Sequence, residues 1–303
     1  MKKHFLIDDT YNNSRFDRWF RQNICNVPQS LIEKNLRKGN IRINNSKKKS
    51  SYKLKKNDKI TLFNINFLPN KNKKKQNSYL PSKSDLKSSS DIFVENNENF
   101  VVINKPAGIS VQSGTKSRKN IIDILRNLKE FDGFKPYPVH RIDKETTGIL
   151  IVAKNRSYAQ LFTSLFRIRK IHKTYLGLVV GQFEKKKGTF KDLLFYYEGK
   201  KKTEAKAITH FTVLDSNRNY SLLKLNPETG RKHQLRKQLL MHGHPILGDT
   251  KYRITNNRNK SKEFLMLHAY KINFSIDGVK YNFSAKLPEN FKDTLKQKYL
   301  KSF

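Results

Sequence analysis

Three stretches of this chain carry residue types that can move protons or make and break bonds. In PVHRIDKETTGILIVAKN, Pro138 to Asn155, Asp143 follows His140 and Arg141 in a polar turn and precedes an apolar run that begins near Gly148. An aspartate so placed hangs at the edge of a sheet, where its carboxylate could act as nucleophile or base. Taken alone, the same turn could equally use its Asp to cap backbone amides. In TGRKHQLRKQLLMHGHPILGDTKY, Thr229 to Tyr252, Arg231 stands at the start of an expected helix and Arg236 inside it, five residues or about 1.4 turns further on. A third string, KIHKTYLGLVVG, puts Tyr175 within a strand. The pair His242 and His244 resembles a metal-ligand pair, but no Cys, Asp or third His stands at ligand spacing, so no metal is expected. No GxGxxG or GxxxxGK loop is present to cradle a nucleotide.

The elements that must position these residues follow from periodicity. Strands are expected over Phe93 to Glu95, Phe100 to Ile103, Gly148 to Ala153, Lys173 to Val180, Ala205 to Val213, Ser221 to Leu225, Met266 to Phe274 and Lys280 to Ala285. Helices are expected over Ile121 to Leu128, Tyr158 to Arg167 and Lys232 to His242. Strands this numerous, often with no helix between them, predict an α+β fold with a mixed, largely antiparallel sheet over a doubly wound one. Upstream, Phe16, Trp19 and Phe20 recur at helical spacing after Ser14, read as an N-cap. Leu31, Ile32 and Leu36 repeat the pattern before Gly39, read as a helix stop. Short strands over Ile41 to Ile43 and Ile60 to Phe63 complete a small α/β unit. Composition then shifts to Lys, Asn, Ser and Pro, giving three segments: a domain over 13–68, a flexible basic linker over 69–91 and a second domain over 92–303.

The whole chain has 303 residues, with 63 Lys plus Arg against 25 Asp plus Glu, a net charge of +38. That balance argues against an acidic binding module or a neutral small-molecule enzyme. An A+T-rich genome explains part of the excess. The rest points to a polyanionic partner, because each cation that neutralises a phosphate releases condensed counterions and strengthens nucleic-acid binding. No apolar run approaches the roughly 20 residues of a membrane span, and the amino terminus lacks the apolar core of a signal peptide. The lone cysteine, Cys25, can form neither an internal disulfide nor a CxxC knuckle. A cytoplasmic setting is expected, with no membrane partner.

The strings around Asp143, Tyr175 and Arg236, preceded by VVINKPAGIS and ended by FLMLHAY, resemble the RluA-type family of pseudouridine synthases over roughly residues 92 to 288. The resemblance implies a bifurcated antiparallel sheet in an α+β catalytic domain, and an isomerase that needs neither cofactor nor metal. It places Asp143 on the catalytic aspartate, Tyr175 on the active-site tyrosine and Arg236 on the arginine that pairs with the aspartate. It further implies that His140 and Arg141 stay close to the RNA stack and fill the space a flipped base leaves, although phosphate binding or a turn cap would explain them as well. Arg231 joins them as a substrate-binding residue, and Leu267 forms an apolar floor or is simply core. Two departures stand out: Ile142 replaces the commoner Leu, and Gln238 stands where many members carry His.

The roles make chemical sense. Turning uridine into pseudouridine breaks the ribose–nitrogen bond, rotates the uracil and reattaches it through carbon, with no net redox change. Asp143 must act as an anion in a pocket from which the flipped base excludes water, and Arg236 would preserve that charge through a charge-assisted pair. Tyr175 would stack on the uracil and relay a proton.

The first domain, over roughly residues 13 to 64, resembles the small RNA-binding domain named after ribosomal protein S-four, with helix, helix ending in RKG, strand, basic loop and K-x-x-D-K-I-T-L strand in that order. Its Arg15, Arg18, Arg37 and Lys38 would contact phosphates. Together the two resemblances predict an enzyme acting on ribosomal RNA of the large subunit, working as a monomer. A non-catalytic RNA-binding or ribosome-assembly factor and a synthase acting on transfer RNA are the alternatives.

Overall fold

The computed structural model describes residues 2–63, 79–82, 90–113, 119–198, 201–254 and 264–301. Most of the expected linker, 69–91, therefore lies outside the described residues. Chain contacts divide the protein into two compact units, Met1–Asn77 and Ser78–Phe303.

The first unit begins with strand β1 (Lys2–Leu6), continues through helices α1 (Phe16–Asn23) and α2 (Gln29–Lys38), and ends in β2 (Ile41–Ile43) and β3 (Lys59–Phe63). The three strands form an antiparallel sheet in the order β1-β3-β2. Phe16, Trp19 and Phe20 from α1 and Ile32 and Leu36 from α2 share one core with Ile41, Ile43, Ile60 and Leu62. Ser14 is not the N-cap: Arg15 holds that position, and the N–H groups of Phe16 and Asp17 go to the carbonyls of Tyr52 and Ser50. A backbone loop thus satisfies the orphan donors that a serine hydroxyl was expected to take. Gly39 does end α2, at φ +79°, a left-handed conformation that glycine adopts without penalty. β1, upstream of the sequence boundary at residue 13, belongs to this sheet and pairs with β3 along its length.

The second unit holds β4 (Phe93–Asn96), β5 (Phe100–Lys105), α3 (Ile121–Leu125), β6 (Tyr137–Pro138), β7 (Thr147–Ala153), α4 (Arg156–Arg167), β8 (His172–Val180), β9 (Lys187–Glu198), β10 (Lys201–Ser216), β11 (Tyr220–Pro227), α5 (Gln234–Met241), β12 (Leu267–Ile276), β13 (Val279–Ser284) and α6 (Glu289–Gln297). Eight strands run in the order β4-β5-β7-β12-β8-β11-β10-β9, with β13 added to β12 and β6 to β7. Among the described strands only the β12–β7 pairing is parallel, so the sheet is mixed and mostly antiparallel, as the strand pattern predicted. That pairing lasts two residues, His268 with Thr147 and Ala269 with Gly148, after which β13 takes over along β12 and the sheet forks. Gly148 makes the fork possible. It sits at φ +105°, and a Cβ there would lie 2.2 Å from the Ala269 carbonyl oxygen.

Each limb of the fork has its own core. One gathers β5, β7, α3 and α4 around Phe100, Ile151 and Phe162; the other gathers β8, β11 and α5 around Leu178, Leu223 and Leu239. Tyr175 touches both. Helix starts differ from the periodic pattern because polar caps override it: Asn155 accepts the Tyr158 N–H and starts α4 at Arg156. Among the described residues no helix is long and apolar enough to cross a membrane.

Lys105, at the end of β5, is fully buried, and its ammonium donates to the carbonyls of Pro106 (2.7 Å), Ile109 (2.9 Å) and Lys144 (3.1 Å). It ties two loops together, one of which carries Asp143. Burial pushes its pKa down to about 7 against the pull of Glu145 and Asp143. Lys105→Met leaves three carbonyls without that donor, and we expect it to cost roughly 2–5 kcal/mol in urea denaturation. A variant as stable as the parent would show that the clamp carries no stability.

Candidate active site

Asp143 lies in the loop between β6 and β7, with its carbonyl accepting the Thr146 N–H, so the turn is closed just before the fork. Its carboxylate is 20% exposed and opens into a cavity of about 720 Å³ lined also by Tyr175, His233, Arg236 and Leu267. That volume suits a nucleotide-sized ligand.

Arg236 is the structural centre. Its Nη1 donates to Asp143 Oδ2 at 3.0 Å, while Nε and Nη2 fork onto Asp249 Oδ2 and Oδ1 at 2.7 and 2.8 Å. Asp249 is fully buried, and its Oδ1 also accepts the N–H groups of Lys251 and Tyr252. Burial works against both charges; it is their pairing that keeps the guanidinium's pKa raised and that of the Asp249 carboxyl lowered. The Tyr252 ring lies 5.0 Å from the Arg236 guanidinium carbon, adding a cation–π face. Asp249 thereby fixes two of the five guanidinium N–H groups, and a third points at Asp143.

Helix α5 delivers Arg236 because its first turn is bolted to the sheet. Gln234 accepts from Thr229 Oγ1 and the Arg231 N–H and donates to the Ile208 carbonyl and Thr209. His233 precedes the helix at φ +54°, a strained conformation for a non-glycine residue, of the kind that gathers at functional sites. That conformation makes the helix start at Gln234, later than expected, and leaves Arg231 in the preceding turn. His233 Nδ1 meets the Tyr252 hydroxyl at 2.8 Å, and Nε2 lies 3.7 Å from Asp143 Oδ1. Burial, helped by the nearby cations Arg236, Lys251 and Lys232, holds the imidazole below its usual range against the attraction of Asp143. At neutral pH it is therefore a neutral neighbour of the aspartate.

Tyr175 sits half-buried on β8. Burial first, and then the charge of Asp143, raise its phenol above the usual range, so it remains protonated at neutral pH. Leu267 is buried at the start of β12 and reaches the cavity wall. His140 and Arg141 part company. His140 is fixed, its ring 4.6 Å from that of Phe166 and its Nε2 accepting the Ile151 N–H at 2.9 Å, with burial holding its pKa down at about 3. Arg141 is exposed at the cavity mouth, as are Arg167, Arg169, Arg231 and Lys232. Arg231 also donates from Nε to the Lys206 carbonyl at 3.2 Å.

Asp249, Tyr252 and His233 lie in the same string as Arg236, yet nothing in their spacing singled them out, because their partners are fixed by the loop after α5. Gln238 is wholly buried behind the site, bonded to Thr209 Oγ1 and Asp192. His242 faces Asp192 at 3.1 Å, and His244 donates to the Val180 carbonyl while stacking on Phe183, so the two imidazoles do not converge. In the first unit Arg18, Arg37 and Lys38 are exposed, whereas the Arg15 guanidinium is gripped by Asp17.

Comparison with known proteins agrees with this geometry. Residues 99–241 match the family model described as RNA pseudouridylate synthase. A ribosomal large subunit pseudouridine synthase C of Buchnera aphidicola subsp. Baizongia pistaciae is 34% identical, covering 97% of this chain and 96% of that protein. The protein of the same name from Rickettsia conorii is also 34% identical, over 94% of this chain and 98% of its own length. Among solved structures, human RNA pseudouridylate synthase domain containing 4 superposes with a TM-score of 0.61 at 27% identity, over 72% of this chain and 96% of that one. Likeness that runs at this level along almost the full length of both proteins, and that extends to the fold, settles the assignment: the chain belongs to the RNA pseudouridylate synthase family, enzymes that convert uridine in RNA to pseudouridine.

Proposed function

We propose that the protein isomerises particular uridines of large-subunit ribosomal RNA, with Asp143 as its anionic nucleophile or base, Arg236 as the group that holds that anion, and Tyr175 as stacking surface and proton relay. The observation that carries the roles is the Asp249–Arg236–Asp143 chain, which offers one carboxylate to the cavity and buries the other as an anchor. A non-catalytic RNA-binding factor would have no use for a guanidinium held so rigidly against a cavity-facing aspartate. The substrate assignment is supported by the named activity of relatives that align end to end with this chain.

In this reading a uridine leaves the RNA stack and enters the cavity, at a cost of a few kcal/mol that the rim cations and the Tyr175 ring offset. Arg141, free at the mouth, suits the space the base vacates, and the fixed His140 serves as wall. Asp143 then attacks the ribose at C1′ or removes its 2′ proton. Either route breaks the bond between C1′ and N1, and the uracil turns on Tyr175 until C5 meets C1′. The C5 proton is lost, N1 gains one, and the sum is an isomerisation requiring no cofactor or metal. Leu267 keeps the floor apolar while the base turns. The full-length enzyme, expected to act as a cytoplasmic monomer, should form pseudouridine in transcripts of large-subunit RNA and leave transfer RNA unchanged. Conversion confined to transfer RNA would overturn the substrate assignment.

The first unit fits an S-four-like RNA platform. Its two helices and strands occur in that order, and Arg18, Arg37 and Lys38 face solvent where phosphates could meet them. Arg15, committed to Asp17, is a weaker contact than its position suggested. Phosphate contacts position a protein without reading bases. The triple variant Arg18→Glu, Arg37→Glu, Lys38→Glu should flatten the salt dependence of RNA binding by about 0.7 to 0.9 in log–log slope per lost contact, with turnover at saturating RNA retained. An unchanged slope would refute the platform.

A further inference from the structure

Among the described residues, one cation of the cavity that is withdrawn from water has no partner. Lys173 stands two residues before Tyr175 on β8, so both side chains leave the same face of the strand. Its ammonium makes no hydrogen bond or ion pair with any described residue; its backbone lies in the ladder with β12, and its carbonyl also accepts from Asn226. Desolvation lowers its pKa, with no carboxylate opposing. The other cations here are provided for: Arg236 has two carboxylates, Lys105 three carbonyls, and Arg141, Arg167, Arg169 and Lys232 are exposed to water. Gly230 stands beside it, where even a Cβ would come into van der Waals contact with Nζ, at 3.9 Å. A half-buried, unpaired ammonium is costly unless a ligand completes it.

The chemistry of the substrate says which atom does so. Phosphates have the exposed arginines of the rim. A residue on the strand face that carries the stacking tyrosine meets the base, whose strong acceptors are the carbonyl oxygens O2 and O4. When the C1′–N1 bond breaks, its electron pair stays with the uracil and spreads over N1 and those two oxygens.

Resting on the active-site reading above, we infer that Lys173 donates a hydrogen bond to a carbonyl oxygen of the flipped uracil and stabilises the negative charge the base acquires as its bond to ribose breaks. An ammonium can only donate, so a contact at O4 would also disfavour cytosine, which presents an amino group at position 4. C1′ passes to Asp143 or to a double bond with C2′, and the charge on the base is discharged when C5 bonds to C1′.

The test uses full-length enzyme in single turnover on large-subunit RNA transcribed with uridine or with 5-fluorouridine. Product is separated by chromatography and read by mass spectrometry as pseudouridine or, since fluorine leaves no C5 proton to lose, as the C5-glycosylated fluorinated isomer or its hydrate. Fluorine stabilises the departing base anion by itself. Lys173→Met should slow uridine conversion about 100-fold, the scale of losing one charge-stabilising donor, while RNA affinity changes less than about threefold. On 5-fluorouridine the loss should be at least about tenfold smaller, and Lys173→Arg should recover at least about tenfold over Lys173→Met. Equal losses on both substrates, or a loss under about threefold, would overturn the inference. Lys173→Gln serves if the Met variant misfolds. Asp143→Asn run alongside separates the two levels: activity in that variant would topple the active-site reading itself, whereas an inert Asp143→Asn with an unaffected Lys173→Met would remove Lys173 alone.

Discussion

An Asp143→Asn enzyme forms pseudouridine at least about 10⁴-fold more slowly than the parent while binding RNA within a few-fold of it. The amide keeps the shape and the contact with Arg236 but is neither a nucleophile nor a base, and losing a group of that kind costs on this scale. Stability should change little. Asp249 continues to hold two faces of the guanidinium, so no buried charge is stranded. Single-turnover conversion and filter binding read the two quantities separately. Residual activity above about a tenth of the parent would remove Asp143 from the chemistry.

Arg236→Lys has a double effect because Arg236 serves two carboxylates at once. A lysine ammonium cannot reproduce the planar fork that reaches Asp249 through Nε and Nη2 while Nη1 faces Asp143. If the lysine turns to the buried Asp249, the catalytic carboxylate loses its partner; if it turns to Asp143, a fully buried carboxylate is left short of a charge. We expect a fall of about 10² to 10³ in turnover, read in kcat more than in KM, with a loss of roughly 2–4 kcal/mol in stability. An unimpaired, equally stable Arg236→Lys enzyme would mean that the chain of three charged groups is not what holds the site. His233 enters the same environment, and its neutrality at pH 7 leaves Asp143 with a single cationic partner.

What could be read from the sequence was whatever is written locally. Asp143 and Arg236 sit in contiguous strings of distinctive residue order, and the strands of the two cores alternate or run apolar in ways that declare themselves. Partnerships closed by tertiary structure were silent. Asp249 follows Arg236 by 13 residues and meets it only because the loop after α5 folds back. The lack of a partner for Lys173 is likewise visible only once the cavity is assembled. β9 escaped notice because its lysines and aspartate break the apolar alternation, while its pairing with β10 comes from a hairpin whose outer face leaves Leu193 and Phe195 exposed. β1 was missed for a related reason: its exposed, basic strand is stabilised by backbone pairing with β3 more than by burial. Gly148 stood in the motif from the start, but its necessity comes from the carbonyl of Ala269, more than a hundred residues away in sequence.

The most direct measurement is a pseudouridine map of total RNA from cells lacking this gene, complemented either by the parent or by Asp143→Asn. Loss of pseudouridine at discrete large-subunit positions, restored by the parent and by none of the Asp143→Asn protein, with small-subunit and transfer RNA unchanged, is the predicted result. An unaltered large-subunit map, or restoration by Asp143→Asn, would contradict it.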